Sequence, residues 1–167
     1  MYKRLPLLAV LIFPLLICAL AWYVWYSPVA TVILVRHAER LNASDTTSIS
    51  EEGISRAQSL AQVGRSARIS RIYVSDKLRT LQTAAPIASL LGIAPIEIRA
   101  NAIKSYVDSV KAHRGEQILI VGHSDTVPLI MAKLGVVNPP TIASDEFDNL
   151  FIVTVLRFRS TFIHLRY

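Results

Sequence analysis

Hydrophobic and polar positions divide this chain into a long apolar beginning and a patterned remainder. Leu5 to Tyr26 carries no charge over 22 residues, a length that spans roughly 33 Å as a helix and predicts one transmembrane helix. A shorter apolar run, Thr31–Val35, predicts a buried strand that ends abruptly in Arg36-His37. Polar Leu41–Thr47 follows as a loop, and Ser48 with Glu51 has capping-box spacing for a helix through about Arg65. Its predicted buried face is Ile54, Ala57, Leu60, Ala61 and Gly64. Arg71–Val74 reads as a second strand, ending at Ser75. Asp76–Leu91 reads as a helix with Leu78, Leu81, Ala84, Ala85 and Ala88 inward, Pro86 bending it and Gly92 stopping it.

The alternation continues to the C-terminus. Ala94–Ile98 predicts a strand, and Asn101–His113 a helix with Ile103, Tyr106, Val107 and Val110 on one side. Gln117–Val121 is a strongly apolar strand ending in Gly122-His123, and Thr126–Leu134 a helix stopped by Gly135. Phe151–Phe158 and Thr161–Tyr167 read as a terminal hairpin. Strands alternating with helices predict a three-layer α/β/α domain with a mostly parallel sheet. The domain covers residues 31–167; residues 1–30 form a short tip, the anchor and a linker.

Charge gives the leader a direction. Lys3 and Arg4 precede the apolar run, and Trp22, Tyr23, Trp25 and Tyr26 cluster at its far end. The positive-inside rule then keeps the N-terminus cytoplasmic and exports the domain. Ala19-Leu20-Ala21 offers a signal-peptidase site, and Leu15-Leu16-Ile17-Cys18 a lipoprotein-like box with Ile17 where a small residue is wanted. The apolar run exceeds a usual signal h-region, which favours an uncleaved anchor.

Composition narrows the rest. Net charge is +6, of which Lys3 and Arg4 supply two units. A modest basic excess fits an anionic substrate, and no Lys/Arg run with interleaved aromatics marks a nucleic-acid face. The single cysteine, Cys18, lies in the leader, so the domain has no disulfide, thiolate nucleophile or cysteine metal site. Without HExxH or clustered carboxylates, neither a metal nor another cofactor is expected.

Candidate chemistry sits at three strand ends: Arg36-His37, His123, and Arg79 one turn into the helix after Ser75. Two arginines hold a phosphoryl group bidentately and permanently charged, and an imidazole attacks phosphorus near neutral pH. The blocks Arg36-His37-Ala38-Glu39 with Asn42, Ser50-Glu51-Glu52-Gly53 with Ala57-Gln58, Ser75-Asp76 with Arg79-Thr80 and Gln82-Thr83-Ala84, and Val121-Gly122-His123-Ser124 occur in order. Together they resemble the histidine phosphatase superfamily, with its phosphoglycerate mutase-like fold, and most closely its short bacterial members. The resemblance implies a metal-independent phosphomonoesterase in which His37 becomes phosphohistidine. Arg36, Arg79 and His123 bind the phosphoryl group, and Asn42 sits at the pocket edge. With the anchor, it implies a bacterial inner-membrane protein, single-pass, whose catalytic domain is periplasmic or extracellular.

The family's general acid has several candidates here. Asp125, two residues after His123, is favoured; Asp76, Glu97, Asp108 and Glu116 are the others. Two rival readings stand beside the phosphatase. Gly122-His123-Ser124-Asp125-Thr126 nearly fits the G-x-S-x-G elbow of a serine α/β-hydrolase, with Asp145 or Asp148 and then His164 in triad order. Thr126 replaces the glycine of the tight turn, and Arg36, His37 and Arg79 are left unexplained. The second rival is a catalytically inert module that binds a phosphorylated ligand. His113 and His164 read as structural, and Asp145–Asp148 as a solvated turn able to rim the pocket.

Overall fold

The structure, a computed structural model, describes residues 7–26 and 28–167. Helix α1 (Leu7–Tyr26) leads into strand β1 (Pro28–Arg36), followed by α2 (Glu51–Gly64), β2 (Arg71–Ser75), α3 (Leu78–Leu91) and β3 (Ile96–Ile98). Then come α4 (Ile103–Ala112), β4 (Gln117–Gly122), α5 (Thr126–Lys133), β5 (Asn149–Leu156) and β6 (Ser160–Arg166). The six strands form one sheet in the order β3-β2-β4-β1-β5-β6.

This sheet is mixed, which corrects the expectation of a mostly parallel one. β3, β2, β4 and β1 run parallel, whereas β5 is antiparallel to β1, and β6 to β5. The two antiparallel ladders are also the longest. The physical reason is the loop 135–148, which returns the chain to the edge where β1 ends: the Ala143 and Glu146 carbonyls accept from Arg36 there, so β5 starts beside Val35 and runs back along β1. The short turn 157–159 then makes β6 antiparallel to β5, since a parallel pair needs a crossover.

Alternation along β1 builds two cores. Val32 and Leu34 face α4 and α5, joining Tyr106, Val107, Val110, Val127, Ile130 and Met131. Ile33 and Val35 face α2 and α3, joining Leu60, Ala61, Ala84, Ile87 and Ala88. Both faces of the central strands are thereby covered, giving three layers.

The helices depart from their predicted faces where they meet the sheet's C-terminal edge. Ser50, not Ser48, caps α2 by accepting the Gly53 N–H. Ile54 is exposed and Gly53 buried, because the helix start lies against the Glu39 backbone, where a Cβ at Gly53 would collide with the Glu39 carbonyl. In α3, Leu78 and Leu81 are exposed while Arg79, Thr80 and Thr83 are buried with Ala84, Ile87 and Ala88. Pro86 lies within α3 without ending it, and Gly92 stops the helix with φ +67°.

The leader calls for a second correction. Among the described residues no helix is long and apolar enough to cross a membrane. This overturns the transmembrane anchor and the single-pass inner-membrane location that rested on it, and leaves the membrane partner without support. α1 contains Pro14, and its last turn is engaged with the domain, Trp25 packing on Phe158 with ring centroids 4.6 Å apart. Lys3 and Arg4, which set the predicted orientation, lie outside the described residues.

Candidate active site

Register assembles the site. β1 pairs with β4 so that Arg36 lies beside Gly122, and the His37 N–H donates to the Gly122 carbonyl at 2.9 Å. The next residues on the two strands, His37 and His123, therefore meet edge to face with ring centroids 5.2 Å apart. β2 lies on the other side of β4, Val74 opposite Val121, which brings Ser75 and the start of α3 to the same edge. Arg36, His37, Arg79 and His123 are all buried there.

Each arginine is held through its Nη1, and Arg79 also faces His123 Nδ1 with Nη2 at 3.5 Å. Arg36 Nη1 donates to the carbonyls of Ala143 and Glu146 at 2.7 and 2.8 Å, and its guanidinium lies 3.9 Å from the Phe147 ring centroid. Arg79 Nη1 donates to the Asp45 carbonyl at 2.9 Å. Neither buried Nε–H has a hydrogen-bond partner. A buried donor without a partner costs roughly 1–3 kcal/mol, so the two arginines leave this edge of the sheet short of acceptors. Burial lowers the pKa of both arginines.

The histidines are neutral, and their hydrogen bonds fix the tautomers. His37 Nδ1 lies 2.7 Å from the Ala38 carbonyl; a carbonyl only accepts, so Nδ1 carries the proton and Nε2 keeps a bare lone pair. Burial first, then His123, Arg79 and Arg36, push the His37 pKa down to about 3, against the bond to Ala38. Burial and then Arg79 lower His123 to about 4, with Asp125 and Asp76 pulling upward. An imidazole that is neutral and has one free nitrogen is a competent nucleophile.

α3 supplies more than Arg79. Thr83 Oγ1 accepts the Ala38 N–H at 2.9 Å and donates to the Arg79 carbonyl at 2.7 Å. Gln82 Oε1 accepts the Ile49 N–H, tying the loop after β1 to the helix. Ser75, Thr80 and Thr83 stand in the motif blocks without an assigned role, and Phe147 is not singled out by the sequence. The signal for the first three was present in polar side chains falling on the buried stripe of a helix or at a strand end. The turn that carries Phe147 reads as able to rim the pocket, and it meets Arg36 through the Glu146 carbonyl and the Phe147 ring; nothing local singles out the ring itself.

The remaining candidates divide by position. Asn42 lies on the exposed loop that also carries Asp45, its Oδ1 accepting the Ser44 N–H. Asp125 is exposed and accepts the Thr126 N–H at the head of α5; Asp76 is exposed and accepts the Ala100 N–H. Glu116 binds Ser70 and Arg71 at the opposite edge of the sheet, Asp108 pairs with Lys104 on α4, and Glu97 stands exposed on β3. His164 Nε2 is engaged by Asn149 Oδ1 at 2.6 Å on edge strand β6. That is three strands from β4, roughly 14 Å at ordinary strand spacing, so the predicted triad with Ser124 is not assembled. Among the described residues no group of acids, histidines and cysteines is arranged to hold a metal ion.

Residues 32–103 match the model of the histidine phosphatase superfamily, branch 1. The fold is similar to that of the protein histidine phosphatase SixA solved with tungstate: TM-score 0.69, 19% identity, 81% of this chain and 96% of that one. It is also similar to Bacillus stearothermophilus YhfR: TM-score 0.63, 19% identity, 79% and 94% coverage. A third similar structure is a phosphoserine phosphatase of Entamoeba histolytica bound to 3-phosphoglyceric acid: TM-score 0.63, 14% identity, 83% and 97% coverage. At these identities the likeness is one of fold. No curated protein sequence matches the chain.

Proposed function

We propose that this chain, whose residues 32–103 match the histidine phosphatase superfamily model, is a member of that superfamily and hydrolyses phosphomonoesters through a phosphohistidine on His37. The observation that carries the reading is the pair of buried arginines with unpartnered Nε–H groups beside a neutral imidazole whose Nε2 is bare. A bound phosphoryl group supplies the acceptors those donors lack, and fixed donors aimed at an anion need no reorganisation as charge shifts in the transition state. His37 Nε2 bonds to phosphorus as the bond to the leaving oxygen breaks; water then attacks the phosphohistidine and releases inorganic phosphate.

Arg36, Arg79 and His123 hold the phosphoryl oxygens, and Asn42 belongs to the loop that closes one edge of the pocket. Asp125 acts on the site through its charge, which favours a protonated His123. Its carboxylate caps its own helix. The neighbour named a protein histidine phosphatase makes a phosphorylated protein one candidate substrate beside small phosphate esters.

The test is phosphatase assay of the full chain with EDTA present, comparing His37→Ala and Ser124→Ala. Loss of turnover in His37→Ala alone is expected, together with an acid-labile, alkali-stable phosphate label on His37 in the unmutated protein. Loss only in Ser124→Ala, on an ester substrate, would return the serine hydrolase. Phosphate binding without turnover in the unmutated chain would make the protein an inert binder.

A further inference from the structure

The second histidine sits at the end of a buried hydroxyl chain that determines which of its nitrogens carries a proton. Thr80 Oγ1 lies 2.7 Å from the Lys77 carbonyl and 3.0 Å from the Ser75 carbonyl, and carbonyls only accept, so the Thr80 proton is spent there. Thr80 Oγ1 is therefore the acceptor for Ser75 Oγ, 2.9 Å away. With its only proton committed, Ser75 Oγ is an acceptor toward the Lys77 N–H and toward His123 Nε2 at 2.8 Å. His123 accordingly bears its proton on Nε2, and Nδ1 is a bare acceptor. Arg79 gives the same answer independently: its Nη2, which can only donate, faces His123 Nδ1 at 3.5 Å.

A phosphoryl group entering this pocket thus meets a proton acceptor at His123, not a donor. We propose that the site takes its substrate as the monoanion, with the phosphoryl proton shared with His123 Nδ1, and that this same proton leaves with the departing oxygen. The inference rests on the phosphohistidine reading. In the balanced step, His37 Nε2 bonds to phosphorus and the phosphorus–oxygen bond to the leaving group breaks. The proton that arrived on the substrate passes through His123 to the leaving oxygen, giving a neutral alcohol. Ser75 and Thr80 are positioning residues that hold His123 in the accepting tautomer.

The charges around His123 suit this traffic. Arg79 and Lys77 disfavour its imidazolium, and Asp125 and Asp76 favour it; His37 packs against its ring. Without a ligand His123 stays neutral, whereas a bound phosphate adds the negative charge that lets it share a proton.

Isothermal titration of inorganic phosphate at pH 8, in buffers of different ionisation enthalpy, reads the proton directly. Phosphate is a dianion in solution there, and uptake of about one proton per phosphate bound is expected. Uptake persists in His37→Gln and Ser75→Thr and is lost in His123→Asn. In Ser75→Ala the tautomer is free to switch, and phosphate binds with little uptake. On a phosphomonoester, kcat/KM of the unmutated protein falls about tenfold per pH unit above the ester's second pKa, near 6, and Ser75→Ala flattens that fall. Binding at pH 8 without proton uptake, or a level kcat/KM from pH 6 to 8 with His37 still labelled, overturns this inference and leaves the nucleophile in place. Absence of both label and turnover removes the two together.

Discussion

Helices α3 and α4 cover opposite faces of the same sheet, yet only one of them obeys its hydrophobic pattern. α4 buries Tyr106, Val107 and Val110 and partly buries Ile103, which are the positions its periodicity predicts. α3 leaves Leu78 and Leu81 in solvent and buries Arg79, Thr80 and Thr83. The difference lies in what each helix start faces. α4 packs on the flat of the sheet, where only apolar surface is offered. The first turns of α3 stand at the C-terminal edge, against His123 and the Ala38 backbone, where buried groups need polar partners. A helix at an active edge is rotated by its chemistry, and its leucines yield.

The contrast can be broken by substitution, and the largest effect belongs to α4. Tyr106→Ala empties a fully buried site and removes the bond to the Ile98 carbonyl; a stability loss of about 3–5 kcal/mol is expected in urea titration, with turnover per folded molecule unchanged. Arg79→Ala on α3 should do the reverse. Turnover falls by about 10²–10³-fold if Arg79 is the proposed fixed phosphoryl donor, while thermal midpoint holds or rises, since Arg79 is buried with its Nε–H unpartnered.

The third prediction concerns pH. His37 and His123 sit near 3 and 4, below the ordinary 6.5, so they are neutral in the folded protein and take protons first in the unfolded chain. Between about pH 6.5 and 4 the unfolded state binds more protons, and stability therefore rises with pH, by up to about 1.4 kcal/mol per pH unit per histidine. Melting from pH 4.5 to 7 should show that slope, reduced in His37→Asn and His123→Asn and unchanged in Tyr106→Phe. The smallest effect is expected at the displaced leucines. Leu78→Gln and Leu81→Gln should each stay within about 0.5 kcal/mol of the parent; a loss of 2 kcal/mol would mean that these side chains are covered and that the helix is not rotated.

What the sequence made legible followed from how local each feature is. β1 and β4 are uninterrupted apolar runs, buried on both faces, so their ends, and with them Arg36, His37 and His123, could be placed directly. Arg79 came from its place one turn into a helix. The antiparallel pairing of β5 and β6 is legible as a hairpin, whereas the direction of β5 along β1 depends on the preceding loop returning to Arg36, which composition does not state. Ser50 and Ser48 present nearly the same local signal, and contact of Gly53 with the Glu39 backbone selects between them. Ser75 and Thr80 matter because of a partner on another strand, His123. Phe147 and the carbonyls of Ala143 and Glu146 reach Arg36 across more than a hundred residues; no window along the chain contains both ends of that contact.

The pairings of β1 also bear on how the chain reaches this state. Thr31 pairs with Gln117 on one side and with Thr154 on the other, so the first strand made is the centre of the sheet and both its neighbours come late. Such long-range closures slow folding. During synthesis β1 waits with both backbone edges unpaired until β4 has emerged, and its second edge is closed only by β5. Assembly of the pocket is correspondingly late: Arg36 and His37 exist as sequence from the start but become a site only when the last third of the protein folds around them.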